Sequence, residues 1–298
     1  MRALVTDPTA PAGISLADVP DLVRDPTQVL VEVRHASLNF GDVSGARSPD
    51  AVPGHVPGWD ASGVVLQTVE GGPAVGSRVL TFGYDGAWAA RRQVPASELA
   101  VVPADVDLAV AASLPVAGVT ALRALQRSGS LLGRRVLVTG ASGGVGRFAV
   151  QLAARAGARV VAQAHRGDGL AELGADEVVT SIEDIDPVDV VIDGVGGQQL
   201  VTAWQKLNPG GVIQSIGWTS LEPAVLPLYG TVGPAKSLTS FQAGTGFGPD
   251  LSLLMRLVAD GGLRVDVGWQ GSWTRVDEAV AALLGRRVGG KAILDVDA

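Results

Sequence analysis

The chain contains no cysteine. That absence alone excludes disulfides, iron–sulfur clusters, thiolate nucleophiles and every zinc site built on thiolates. Histidine is scarce, at His35, His55 and His165, and lysine occurs only at Lys206, Lys236 and Lys291. The basic residues are therefore almost all arginine, a bias expected of a GC-rich gene. Charge of one sign is not concentrated anywhere, and the net formal charge is −7, which speaks against a nucleic-acid partner. No stretch reaches the roughly 18 uninterrupted apolar residues of a membrane span, so no membrane partner is expected. The start, Met1-Arg-Ala-Leu-Val-Thr-Asp7, reads as a strand entering a turn rather than as a signal peptide, and the expected location is the cytoplasm.

What is present is a hydrophobic share of 47% over 298 residues, enough for a large core and about two domains. Up to about residue 110 the apolar runs are short. Gln28–Val33, Gly63–Val69 and Arg78–Phe82 are separated by Gly, Pro and Asp, the spacing of a partly open barrel or sandwich. Helical patterning begins over Leu108–Arg127, with Pro115 expected to interrupt it. From Arg134 the texture changes. Arg135–Thr139 is a continuous apolar strand of the buried parallel kind. A helix over Val145–Ala156, a strand Arg159–Ala164, a short helix near Gly169–Leu173 and a strand Glu177–Val179 are expected next. A strand Val188–Ile192, a helix Gln198–Lys206 and a strand Gly211–Ile216 follow. Strand and helix alternate as in a doubly wound α/β sheet. The tail reads as strand Leu263–Val267, helix Asp277–Arg286 and strand Lys291–Val296, returning to the N-terminal β-rich domain.

The chemistry-bearing stretch is the turn Gly140, Ala141, Ser142, Gly143, Gly144, Val145, Gly146, which follows a buried strand and opens a helix. Gly140 and Gly143 let the backbone bend and a pyrophosphate approach closely. Gly146 lets the helix pack on the strand, and the helix N-terminus offers N–H groups to phosphates. Enzymes that use NAD usually carry an acidic residue at the end of the next strand, bonded to the ribose 2′-OH. Here that strand ends Val161-Ala-Gln-Ala-His-Arg166, with no carboxylate before Asp168. His165 and Arg166 suit a 2′-phosphate instead, Arg166 through its planar fork, which favours NADPH as cofactor.

These residues resemble the medium-chain dehydrogenase/reductase superfamily, in its zinc-independent branch of quinone oxidoreductases and polyketide enoyl reductases. The segments that carry the resemblance are Ser37-Leu-Asn-Phe-Gly-Asp42, Pro57-Gly-Trp-Asp-Ala-Ser-Gly-Val-Val65, Leu114-Pro-Val-Ala-Gly-Val-Thr-Ala121 with Gly140–Gly146, Asp189-Val-Val-Ile-Asp-Gly-Val-Gly-Gly197, and Gly289-Gly-Lys-Ala-Ile-Leu294. The resemblance implies an α/β fold with a GroES-like catalytic domain over 1–117, a Rossmann NADPH-binding domain over 118–261, and a return to the catalytic domain over 262–298. It implies hydride transfer to a polarised C=C bond in a cleft between the domains. It implies a homodimer joined along the Rossmann sheet edge, near Lys236–Gln242. Gly194, Val195, Ile216 and Gly217 are the further cofactor contacts it suggests. Both zinc sites of the zinc-dependent relatives are absent, so no metal is expected.

Conjugate reduction needs a donor for charge growing on the carbonyl oxygen and a proton for the α-carbon. Asn39 is a candidate donor to a carbonyl or to the cofactor, and Asp42 either orients it, relays a proton or forms an Asx-turn. Many enoyl reductases carry a Tyr shortly after this element, but Val43–Asp50 has none. Tyr84 is the candidate that remains, with solvent as the other source and packing as its plain structural role. Phe40, Trp59, Trp218, Phe241 and Phe247 are candidates to line an apolar substrate pocket, each also suited to the core. The function expected is an NADPH-dependent enoyl or enone reductase acting on a small conjugated carbonyl compound, such as an aromatic polyketide of an antibiotic pathway. The alternatives are an NADPH quinone oxidoreductase and a non-catalytic NADPH-binding sensor or structural protein.

Overall fold

The structure is a computed structural model that describes residues 1–297. The chain divides into two compact units, Met1–Val119 with the chain from Thr245 onward, and Thr120–Gly244. Among the described residues no helix is long and apolar enough to cross a membrane.

The first unit is built on one mixed sheet. Its strands lie in the order Val267–Ser272, Lys291–Asp295, Val29–Leu38, Asp60–Gln67, Arg78–Phe82, Leu99–Val101. The ten-residue strand Val29–Leu38 organises it, because alternate residues Val29, Val31 and Val33 point inward and it has room for several neighbours. Its first half pairs with Arg91–Val94, and its second half pairs antiparallel with the C-terminal strand, in the register Ala292↔Leu38 to Asp295↔His35. This register sets Lys291 beside Leu38 and Asn39. A separate antiparallel pair, Arg2–Thr6 with Ile14–Asp18, closes over a core that includes Trp88 and Trp273.

The second unit has a six-stranded sheet that is parallel throughout. Its strands are Arg135–Thr139, Arg159–Gln163, Glu177–Val179, Val188–Asp193, Leu207–Ser215 and Ser237–Ser240. Numbered in chain order they lie 3-2-1-4-5-6, the Rossmann order, so the order reverses between the first strand and the fourth. Buried on both faces, the central strands are runs of Val, Leu and Ile rather than alternating patterns.

Pro115 breaks the helical stretch as expected, into Leu108–Ala112 and Pro115–Arg127. Two local expectations fail, and one helix is additional. Gly169–Leu173 forms turns rather than a helix, since Gly169 at φ +75° and Gly174 at φ +102° bracket a segment too short to nucleate one. Leu263–Val267 is not a strand; pairing begins at Val267 and runs to Ser272. A helix over Gly248–Ala259 was not anticipated. It lies in the first compact unit, which takes in the chain from Thr245 onward. Glu98 explains this placement, since its buried carboxylate accepts the N–H groups of Gly246 at 2.6 Å and Phe247 at 3.0 Å.

Candidate functional site

In the second unit, the carboxyl ends of the first and fourth strands meet at a buried carboxylate. Asp193 is fully buried and accepts from Thr139 Oγ1 at 2.6 Å and from the Gly196 N–H at 3.0 Å. Burial raises its pKa, and those hydrogen bonds partly oppose the rise. Thr139 Oγ1 in turn accepts the Gly194 N–H at 3.1 Å. The two strand ends are thus tied together just where Gly140 and Gly194 begin their turns. Gln163 adds a second tie, its side-chain carbonyl accepting the Gly140 N–H at 3.1 Å.

The turn itself is tight. Gly140 has φ +62°, a conformation that only glycine adopts readily. A Cβ on Gly146 would lie 2.5 Å from the Gly140 carbonyl oxygen and 2.6 Å from Ala141 Cα. The helix Gly144–Arg155 follows, with Gly143 as an N-cap that supplies no side-chain bond. An uncapped helix start behind a glycine turn fits a phosphate group. Gly140, Ser142, Gly143, Gly144 and Val145 are half-buried around it, as are Gly194, Val195, Ile216 and Gly217 on the neighbouring strand ends. The Ile216 N–H bonds the Asp193 carbonyl at 2.9 Å, which draws the fifth strand's end into the same cradle. Trp218 lies over Gly196, where a Cβ would be 2.5 Å from its ring, and donates Nε1–H to the Glu222 carbonyl at 2.5 Å. His165 and Arg166 are exposed, two and three residues beyond the end of the second strand at Gln163. Phe241 is half-buried under the Arg127 guanidinium, 4.6 Å from its ring centre.

The first unit holds a buried polar knot. Asp60 is fully buried, and its carboxylate accepts from the Val116 N–H at 3.0 Å, Ser37 Oγ at 2.9 Å and Asn39 Nδ2 at 2.9 Å. Lys291, also buried, reaches Asp60 at 3.5 Å and the Asn39 side-chain oxygen at 2.5 Å. Asn39 Nδ2 also donates to Asp42 Oδ2 at 3.2 Å, and the Asn39 backbone N–H to Asp42 Oδ1 at 2.8 Å. The amide of Asn39 is therefore occupied at both hydrogens and at its oxygen. In this arrangement both amide hydrogens are used within the knot rather than turned toward a ligand. Asp42 caps the start of the helix Phe40–Ala46 from within, and burial with Asp60 nearby pushes its pKa up to about 7, against the pull of Lys291 and Asn39.

Beside the knot is an aromatic wall. Trp59 packs over Gly41, where a Cβ would be 2.6 Å from its ring, and Phe40, the residue before Gly41, is half-buried. Tyr84 meets Trp59 edge-on at 6.4 Å and Phe82 edge-on at 5.1 Å, and stays 46% exposed. Arg92 holds the segments that carry this pair, donating to the Trp59 carbonyl and the Asp85 carbonyl at 3.0 Å each. Burial lowers its pKa to about 10, with Asp60 and Asp85 opposing. Phe247 is elsewhere. It is fully buried and stacked on Phe82 with ring centres 3.8 Å apart, a core position rather than a pocket wall.

The two units can be set against known proteins. Residues 25–104 match the Alcohol dehydrogenase GroES-like domain family, and residues 144–260 the Zinc-binding dehydrogenase family. The putative quinone oxidoreductase YhfP of Bacillus subtilis is 30% identical, over 67% of this chain and 67% of its own length. The chain belongs to the medium-chain dehydrogenase/reductase family. The synaptic vesicle membrane protein VAT-1 homolog of Rattus norvegicus is 32% identical over 66% of this chain, and the chain spans about half of that protein, 53%. Several polyketide synthases match at 31–33% identity over 6–11% of their length. A solved mycobacterial structure complexed with NADPH has a TM-score of 0.86 at 26% identity, covering 99% of this chain and 100% of the other.

Within this family the chain has its own features. One matched family is named for zinc, whereas this chain has no cysteine. Among its described residues no group of three or more His, Cys, Asp or Glu could hold a metal ion. Asp60, Lys291, Asp193 and Gln163 were not singled out from the sequence. Asp60 and Lys291 lie inside the family-like segments 57–65 and 289–294, and a buried-type charge inside an apolar strand was the available signal.

Proposed function

We propose that this chain is an NADPH-dependent reductase that delivers a hydride to the C=C bond of a conjugated carbonyl compound. The observation that carries this reading is the glycine turn at the reversal point of the sheet. Open α/β sheets bind ligands at such points, outside the carboxyl ends of their strands. The backbone of Gly143–Gly146 would hold the pyrophosphate. Gly194, Val195, Ile216 and Gly217 would flank the other half of the dinucleotide. His165 and Arg166 would receive a 2′-phosphate, since no carboxylate stands before Asp168 to bond a free 2′-OH. The bound cofactor supplies the hydride. The solved NADPH complex among the relatives supports this choice of cofactor.

On the substrate side, half-buried Trp59 and exposed Tyr84 offer an aromatic wall suited to a flat conjugated ring system. With Asn39 bound up in the polar knot, the Tyr84 hydroxyl is the side-chain donor assigned to the substrate, with solvent as the other proton source. A quinone oxidoreductase is the second reading, favoured by the 30% identity to a protein of that name. The two are separated by incubating the protein and NADPH with quinones, simple enones and enoyl thioesters, and identifying the products and their stereochemistry. A saturated carbonyl product is expected. Reduction of quinones alone would favour the second reading, and no NADPH oxidation with any substrate would leave a binding protein.

A homodimer is part of the same proposal. The strand Ser237–Ser240 ends the parallel sheet with all four side chains exposed, among them Leu238. A bare sheet edge is a ready partner for another strand. Light scattering should report a dimer, and Leu238→Asp with Thr239→Pro should give a monomer.

A further inference from the structure

The first unit contains a cavity of about 520 Å³ that shares no lining residue with the glycine turn, the polar knot or the aromatic wall. Its size falls within the range of small-molecule sites, about 300–1,000 Å³. Two loops wall it. The first, 7–13, is closed by the Asp7 N–H on the Gly13 carbonyl at 3.0 Å. The second, 46–55, is closed by the Ala51 N–H on the Ser48 carbonyl at 3.0 Å. Thr6 clamps them together, its N–H on the His55 carbonyl and its carbonyl accepting the Gly54 N–H, both at 2.8 Å. Four prolines, three alanines and a glycine make up eight of the eleven lining residues. Such side chains have no rotamer freedom to lose, so the walls are set before a ligand arrives. The other three are Thr6, Ser48 and Arg47, of which Arg47 alone is charged. Its stem lies against Gly13, where a Cβ would be 2.9 Å from Arg47 Cγ, and its Nη1 donates to the Pro11 carbonyl at 3.3 Å. Among the described residues Arg47 has no acidic partner. Asp7 and Asp50, the acids of the two loops, do not line the cavity, and Asp7 accepts the Thr9 N–H at 2.9 Å and the Thr9 hydroxyl at 2.6 Å.

We propose that this cavity is a second ligand site, one that takes a planar aromatic carboxylate. A guanidinium has five N–H donors in a rigid fork, so Arg47 can hold the Pro11 carbonyl with one and a carboxylate with others. Ser48 Oγ accepts the Asp50 N–H at 3.3 Å, which leaves its own hydrogen for a carboxylate oxygen. The apolar body of the ligand meets proline rings, whose fixed faces complement flat aromatic groups. A flexible aliphatic acid would lose more freedom on entering, and an organic cation would meet Arg47. Arg47 is exposed, so its contribution is modest and screened by salt. The inference does not depend on the reductase reading, because no residue assigned there lines the cavity.

The test is calorimetric titration of the full chain with 2-naphthoate and, separately, with 2-naphthamide, which has the same shape and no charge. The wild type should bind the naphthoate about fivefold tighter or more, and added salt should weaken the naphthoate alone. Arg47→Met should bring the two affinities to within about twofold by weakening the naphthoate. Arg47→Lys keeps the charge without the planar fork and should retain an intermediate preference. Ala51→Phe fills the cavity and should remove both ligands. Arg47 is exposed, so its two variants carry the test on their own if Ala51→Phe disturbs the loop. Equal wild-type affinities, or no binding of the naphthoate, would overturn the proposal. So would an undiminished preference in Arg47→Met, or naphthoate binding that survives in a folded Ala51→Phe, since the ligand would then sit elsewhere.

Discussion

Asp42→Asn should abolish a specific part of the pH dependence of stability. In the folded protein the Asp42 pKa is pushed from 3.8 up to about 7, by burial first and by Asp60 second, with Lys291 and the two bonds from Asn39 opposing. Between those values the folded chain keeps a proton that the unfolded chain releases. Unfolding therefore becomes easier as pH rises through that window. Below it both states are protonated and above it both are ionised, so the group adds no slope outside it. One pH unit corresponds to about 1.4 kcal/mol, and the wild type should lose roughly 2–3 kcal/mol of stability between pH 5 and 7 from this group alone. Asparagine has the same shape and does not titrate. It loses one acceptor for Asn39 Nδ2, which offsets the whole curve without tilting it. The assay is urea unfolding followed by tryptophan fluorescence from pH 5 to 9 at fixed ionic strength. The stability difference, variant minus wild type, should climb to about pH 7 and then level off. Parallel curves for the two proteins would refute the claim that this carboxyl holds a proton in the knot.

Lys291→Met should destabilise by about 3–5 kcal/mol at pH 8, because it leaves Asp60 buried without its cation. The loss should be smaller at pH 5, where Asp42 is protonated, and thermal unfolding at the two pH values measures the difference. Gly146→Ala pushes a Cβ into the Gly140 carbonyl, so nucleotide affinity by fluorescence titration should fall by about tenfold or more; unchanged affinity would place the phosphates elsewhere. The wild type should bind NADPH at least about tenfold tighter than NADH, and Arg166→Ala should remove most of that difference, about 1.4 kcal/mol per tenfold. Equal wild-type affinities would count against the loop's role. Reductase activity should persist in the presence of metal chelators.

Much of the architecture was legible because it is written in neighbouring residues. Continuous Val, Leu and Ile runs specify buried parallel strands, and Pro115 interrupts a helix through its own ring. The glycine turn reads directly as a tight strand-to-helix connection, since Gly140 takes a positive φ and Gly146 has no room for a Cβ. Local pattern also misled. Gly169–Leu173 has helix-forming residues but too few of them between two glycines. The pattern of Gly248–Ala259 contains no statement of which unit will bury it. Phe247 reads as a pocket aromatic until Phe82 is found stacked on it.

Asn39 shows the division most clearly. Its residue type and its motif mark it as a polar group worth watching, and that much the sequence alone determined. What it touches depends on the register of a strand 252 residues later, which brings Lys291 to its side-chain oxygen, and on Asp60, 21 residues later, which takes its amide hydrogen. Hydrogen bonds are short and directional, so a donor's role follows from which acceptors lie within about 3 Å. Chain folding alone decides that proximity. The sequence determined the kinds of chemistry available, a phosphate turn without thiols. Tertiary structure decided which polar groups are consumed in holding the fold and which remain for a ligand.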